Sequence, residues 1–203
     1  MLIKHRQKDM LPRMKNLILC SVLFMSVQCA EAQITPDLEG GLKPMVTVDQ
    51  VDLDRYLGKW YEIAKYPNRF QRGCDEATAE YAKLPSGDIE VHNTCRKVGN
   101  QQLKDILGVA KVVDRETNAK LKVTFLPKWL RWTGIGFGKY WVIALEPNYE
   151  YAVVSEPSRK FLWILSRTPS LKRTTYEQIL EKIKEQQLDV TKLEFSRENP
   201  IRD

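Results

Sequence analysis

Leu84-Pro85-Ser86-Gly87-Asp88-Ile89-Glu90-Val91-His92-Asn93-Thr94-Cys95-Arg96 decides the fold class. Pro85 to Asp88 carry turn chemistry. Beyond them, Ile89, Val91, Asn93 and Cys95 share one parity, and Glu90, His92, Thr94 and Arg96 the other. A period of two belongs to a strand with one face turned from water. Ala119 to Leu126 repeats the pattern, with Leu121, Val123 and Phe125 opposing Lys120, Lys122 and Thr124. Outward from these two stretches, short apolar runs alternate with turn signals: Gly58 to Tyr66, Glu76 to Leu84, Leu103 to Asp114, Tyr140 to Leu145, Tyr151 to Ser155 and Phe161 to Ser166. That makes eight strands at meander spacing, with no helix between them. An antiparallel meander of this size removes its open edges by closing on itself. The expected fold is all-β, an eight-stranded antiparallel up-and-down barrel whose interior is just wide enough for one small molecule.

Further on, Tyr176, Ile179, Leu180 and Ile183 recur at helical spacing opposite Glu181, Lys182, Lys184 and Glu185. This predicts one C-terminal α-helix packed on the barrel wall. Thr174 and Glu177 have the spacing of a capping box at its start, and Val190 to Phe195 is expected to add a last short strand.

The 203 residues are 43% hydrophobic and 29% charged, with a mean hydropathy of −0.41. Those values exclude both a polytopic membrane protein and a disordered chain. The N-terminus has its own character. Lys4, Arg6, Lys8, Arg13 and Lys15 stand against a single Asp9, and Leu17 to Val27 is then apolar. A membrane-spanning helix needs about 20 apolar residues, so this run is too short. It fits the core of a secretory signal, and Ala30-Glu31-Ala32 supplies a small-x-small cleavage pattern. The reading is a signal peptide over 1–32 and a mature chain from Gln33, with Met14 as an alternative start. A second reading anchors the chain by lipid at Cys29, against which stands Gln28, a poor residue before an acylated cysteine. Next come a flexible arm at 33–47 with Pro36, Gly40, Gly41 and Pro44, a domain at 48–196 and a tail at 197–203.

Loss of the leader removes five of 32 Lys+Arg and two of 26 Asp+Glu, leaving 27 and 24, a net of +3. So mild a charge gives little support for a nucleic-acid partner. Cys20 and Cys29 also leave, and Cys74 and Cys95 remain. An even count in an exported protein reads as a disulfide, and with His92 as the one remaining histidine a zinc site lacks ligands. A hairpin turn centred on Ser86 and Gly87 opposes residues whose numbers sum to about 173. The cysteines sum to 169, so their bridge needs a bulge, or a Cys74 placed just before its strand.

Gly58-Lys59-Trp60-Tyr61-Glu62-Ile63-Ala64 opens the first strand. Glu146-Pro147-Asn148-Tyr149, with Tyr151, follows the sixth, and Ile164-Leu165-Ser166-Arg167-Thr168-Pro169 ends the eighth. Together they resemble the three motifs of the lipocalins, a calycin family, in the family's order and over about Val48 to Phe195. Within that family the resemblance is to bacterial outer-membrane lipoproteins and apolipoprotein D-like proteins. It implies non-catalytic binding, storage or transport of a fatty acid or lysophospholipid. It also implies a place in the periplasm or on the periplasmic face of the outer membrane, and membrane maintenance under stress.

Strand ends of a meander alternate between two rims. The start of strand one, the turn after strand six and the end of strand eight share one rim, so Trp60 and Arg167 are expected to meet there. A shielded guanidinium over an indole is worth roughly 1–2 kcal/mol. Val51 to Leu57 is expected to cross and close this rim. Gly58, Trp60, Asn148, Tyr149 and Arg167 are thus read as structural, not as a binding site.

The opposite rim carries loops 67–73, 97–102, 127–139 and 156–160. The third holds Trp129, Leu130, Trp132, Ile135 and Phe137 among Lys128, Arg131 and Lys139. It reads as a lid, as a foot in a membrane surface through Trp129 and Trp132, or as a loop tucked into its own barrel. Parity points Ala77, Ala79, Tyr81, Val91, Asn93, Leu121, Val123, Phe125, Tyr140, Val142, Phe161 and Trp163 inward, with Tyr56 reaching the floor. This nearly uncharged lining suits an acyl chain or a flat apolar ligand. Ala77, Ala79 and Gly108 are expected to leave volume unfilled. Monomer and homodimer both stay open.

Gly134-Ile135-Gly136-Phe137-Gly138 leads into a strand, not a helix, so it is no phosphate loop. The chain has no G-x-S-x-G, C-x-x-C or H-E-x-x-H. No cofactor, metal or catalytic activity is expected. The alternative, which the resemblance extends to, is a cavity enzyme with a free thiol at Cys95; a bridge to Cys74 closes that route.

Overall fold

The structure is a computed structural model, and it describes residues 41–97, 102–198 and 200–203. The expected leader, Cys29 and residues 33–40 of the arm lie outside the described residues. Eight strands form the barrel: β1 Gly58–Lys65, β2 Cys74–Lys83, β3 Ile89–Lys97, β4 Leu103–Val112, β5 Lys120–Thr124, β6 Gly138–Leu145, β7 Tyr151–Ser155 and β8 Leu162–Ser166. Each pairs antiparallel with the next, and β1 also pairs with β8, which closes the sheet. The turn between β2 and β3 sets Lys83 opposite Ile89, and Gly87 there has φ +84°, a left-handed conformation that glycine adopts without strain. Closure needs a register shift in β1 between Glu62 and Ala64, where the strand turns from β2 toward β8.

Two apolar layers result. Inside lie Trp60, Tyr81, Val91, Leu121, Val142, Val154 and Leu165. Outside, Ile63, Val153, Leu162 and Ile164 pack under the helix α2, Arg173–Glu185, whose Ile179 and Ile183 are fully buried. Runs such as Tyr151–Ser155 are buried throughout because both faces of that wall are covered.

The expected capping box is not formed. The N-cap of α2 is Lys172, with no side-chain cap, and Thr174 lies inside the helix. The start is set instead by β9, Leu171–Lys172, which pairs in parallel with a late strand at Ile201–Arg202. That pairing holds the chain extended up to Arg173. Of the expected last strand, only β10, Glu194–Phe195, forms, and it pairs with β1; Val190–Lys192 is a 3₁₀ turn. The strand at Ile201–Arg202 is β11. The end of the expected arm is held against the body. Lys43 and Val46 donate backbone N–H to the side chains of Gln187 and Gln186, and Met45 is buried beside α2. Among the described residues, no helix is long and apolar enough to cross a membrane.

Candidate functional site

One end of the barrel is sealed. Asp52 caps the short helix α1, Leu53–Tyr56, by accepting the N–H groups of Asp54 and Arg55, which turns the chain across the rim. Val51, fully buried, donates to Thr117 O at 2.7 Å. Above this helix Trp60 donates its indole N–H to Tyr56 O at 2.9 Å. Arg167 lies 3.8 Å from the Trp60 ring centroid and donates to Lys59 O and Arg55 O at 2.9 and 2.7 Å. Tyr149, left-handed at φ 65°, accepts Asp52 N at 2.8 Å on its hydroxyl and lies under the Arg55 guanidinium. Asn148 donates its N–H to Glu146 Oε2 and so shapes the turn. These groups hold one another across the rim.

Just inside the seal, Tyr140 OH lies 2.8 Å from Tyr56 OH and 2.9 Å from Tyr81 OH. Burial pushes all three phenols up, that of Tyr81 to about 12, so each stays a neutral donor at ordinary pH. Toward the mouth, strand register puts Ala79, Val91, Asn93, Leu121, Val123, Val142 and Trp163 on the inner face. Val91, Leu121 and Val142 are buried, whereas Tyr140, Val123, Asn93, Ala79 and Trp163 are only half-buried. These five are the less covered members of the inner face, and Tyr140 stands next to the floor. The Asn93 amide oxygen is buried there with no hydrogen-bond partner among the described residues.

Phe125 and Phe161 lie just past the ends of β5 and β8, at the mouth. Phe161 stacks on Trp163 with centroids 5.8 Å apart, and Phe70 packs on Phe161 at a tilt, 6.0 Å away. Gly108 does not leave a void, contrary to expectation: a Cβ there would fall 2.6 Å from the Phe125 ring, which already fills the space. Trp129 and Trp132 are 71% and 84% exposed, on a 3₁₀ turn at Lys128–Thr133, so this loop is not tucked into its own barrel.

The lining is also less neutral than its sequence suggests. Glu62 follows Trp60 by two residues and shares its inward parity. Its carboxylate accepts from Gln71 Nε2 and Ser196 Oγ, and Lys65 Nζ stands 3.5 Å away, both charged groups being almost fully buried. Gln71 in turn accepts the Trp163 indole N–H at 2.8 Å and the Asn68 amide at 2.9 Å on its side-chain oxygen. The signal in the sequence was the parity from Trp60, masked by the charge of Glu62.

Cys74 and Cys95 are bridged, with Cα atoms 5.4 Å apart. The register runs Ala77 opposite Cys95 and then Cys74 opposite Lys97; the shift between Cys74 and Glu76 takes up one residue of the mismatch, and the bridge joins cysteines that do not face each other directly. The bridge removes Cys95 as a nucleophile. His92, on the outer face, contacts Asp105 at 3.1 Å. Among the described residues no group of three His, Cys, Asp or Glu is placed to hold a metal.

The family model described as "Lipocalin-like domain" matches residues 51–198. The chain is a lipocalin. Over 178 residues this lipocalin is 35% identical to the "Outer membrane lipoprotein Blc" of Vibrio cholerae, covering 87% of this chain and 94% of that protein. It is 41% identical over 155 residues to "Temperature-induced lipocalin-1" of Arabidopsis thaliana, covering 74% of this chain and 81% of that one. Among solved structures, insecticyanin from the tobacco hornworm matches it with a TM-score of 0.58 at 22% identity, over 76% of this chain and 84% of that one. That last likeness concerns the fold alone. Lipocalins typically bind hydrophobic ligands.

Proposed function

We propose that the protein binds and carries an acyl lipid, a fatty acid or a lysophospholipid, inside its barrel and performs no catalysis. One observation carries this reading: inward-facing Tyr140 and Trp163 remain half-exposed within a closed barrel, and apolar walls surround them. The acyl chain lies against Val123, Val142, Phe125 and Trp163, with Tyr56, Tyr81, Val91 and Leu121 toward the floor. Its headgroup stays at the mouth. Partial burial of a lipid's apolar surface stabilises the complex by roughly 25 cal/mol per Å² removed from water.

The place of action in this reading is the cell envelope, with export by the leader, cleavage after Ala32 and a mature N-terminus at Gln33. The relative named as an outer membrane lipoprotein supports the envelope, and the relative named as temperature-induced supports a role in membrane maintenance under stress. Trp129 and Trp132, exposed beside Lys128 and Arg131 at the open mouth, suit the headgroup layer of a membrane, where lipid enters or leaves. The test is organic extraction of the protein purified from its own host, with mass spectrometry of both the extract and the intact chain. Acyl lipid in stoichiometric amount and a chain starting at Gln33 are expected. Diacylglyceryl on Cys29 overturns the cleavage site, and an extract free of lipid, with no uptake of added oleic acid, overturns the function.

A further inference from the structure

The floor of the barrel holds one hydroxyl hydrogen more than it uses. Tyr56, Tyr81 and Tyr140 supply three O–H groups, and their two contacts, both to Tyr140 OH, consume two hydrogens. If Tyr140 accepts from both neighbours, its own hydrogen is spare; if it donates to one, that neighbour's hydrogen is spare. No other group among the described residues accepts it. Trp60, whose ring centroid lies 5.0 Å from that of Tyr56, has its N–H engaged with Tyr56 O and offers only an apolar face here. Tyr140 is the half-buried member of the three, and Tyr56 and Tyr81 are buried.

A second observation is independent of the first. The Asn93 amide oxygen, on the same inner face, is buried without a partner. Val91 faces Tyr81 across the strand pair, and Asn93 follows two residues toward the mouth, about 7 Å further up by the rise of a strand. The interior thus shows an unused donor at its floor and an unused acceptor above it.

We propose that this floor is a hydrogen-bond-donating subsite for an uncharged oxygen at the inner end of an apolar ligand: the carbonyl of a ketone or ester, or a hydroxyl. The proposal rests on the lumen reading above. A carboxylate does not suit the site, because a buried charge needs a partner. Arg167, a cation within electrostatic reach of Tyr56 and Tyr81, is engaged with the carbonyls of Arg55 and Lys59, and Lys65 is held by Glu62. Glu62 itself places a negative charge within electrostatic reach of Tyr81. An anionic headgroup therefore stays at the mouth, and the subsite selects chains oxygenated at the far end.

The test titrates the full-length protein calorimetrically with hexadecanoic acid and with 15-oxohexadecanoic acid, whose ketone sits at the far end. The comparison is with the triple variant Tyr56→Phe, Tyr81→Phe, Tyr140→Phe, which removes donors and acceptors together. The preference for the oxo acid over its parent is expected to fall about tenfold in the variant. A preference equal in both proteins overturns the subsite alone, since parent binding then stands. Failure of the wild-type protein to bind hexadecanoic acid overturns the lumen reading and the subsite with it. Should the variant not fold, the infrared stretch of the ketone bound to wild-type protein decides. A shift below its value in hexane supports the subsite, and the hexane value overturns it.

Discussion

Trp163 donates its indole N–H to Gln71 Oε1 at 2.8 Å, which ties the inner wall of the barrel to the turn at its mouth. Gln71 passes the tie on to the buried Glu62, and Phe70 of the same turn packs at a tilt against Phe161. The rim turn is thus latched from inside rather than lying loose on the surface. Gln71→Ala leaves a half-buried indole N–H and one oxygen of the buried Glu62 carboxylate without their partner, a loss of about 1–3 kcal/mol. The expected result is faster amide hydrogen exchange over Arg69–Gly73, with the rest of the barrel unchanged. Unaltered exchange in that turn contradicts the latch.

Arg167 is expected to be irreplaceable by lysine. Its guanidinium uses separate N–H groups for Lys59 O and Arg55 O while lying flat on Trp60, and an ammonium has no such fork. Arg167→Lys should cost about 2–3 kcal/mol, most of what Arg167→Ala costs. Urea unfolding of both variants measures it. A lysine variant as stable as wild type denies that the plug depends on the planar fork.

Much of this was legible beforehand because each local rule agreed with the next. The alternation of Ile89, Val91 and Asn93 gave their inward face, and the mismatch between Cys74 and Cys95 announced a bulge that the register contains. What stayed hidden depended on contacts distant in the chain. Thr174 and Glu177 look like a cap, yet pairing of Leu171 with Ile201 extends the chain past the point where a threonine cap would act. Glu62 reads as a surface residue until Gln71, Lys65 and Ser196 are seen to satisfy it. Gly108 reads as a gap until Phe125 is seen folded over it.

Reduction should destabilise the protein without making it reactive. The Cys74–Cys95 bridge spans 21 residues, and closing a loop of that size is worth about 3 kcal/mol. Cys74→Ser with Cys95→Ser should lower the melting temperature by several degrees and speed exchange in the rim turn. Thiol titration of untreated, exported protein should find no free thiol at either position. Two reactive thiols there would contradict the bridge and restore the alternative of thiol chemistry at Cys95.

Alkali should unfold the barrel through its floor. The Tyr81 phenol is raised from 10.0 to about 12 in the folded state. The unfolded chain therefore loses that proton first as pH rises, and stability falls with pH in that range. The contribution is whole below about pH 10 and is lost progressively up to about pH 12, roughly 3 kcal/mol for this one group. Phenolate absorbance should show Tyr81 titrating late in native protein, and Tyr81→Phe should flatten the alkaline fall in stability. A fall of equal slope in that variant contradicts the assignment.

Native mass spectrometry of the protein incubated with oleic acid reads directly whether the apolar lumen holds lipid. A 1:1 complex is expected for wild type and a much weaker one for Trp163→Arg, which puts a charge into the half-buried inner wall without touching the floor plug. Wild-type protein that stays at its apo mass, or a Trp163→Arg variant that binds oleic acid as tightly as wild type, would contradict a lumen that holds lipid.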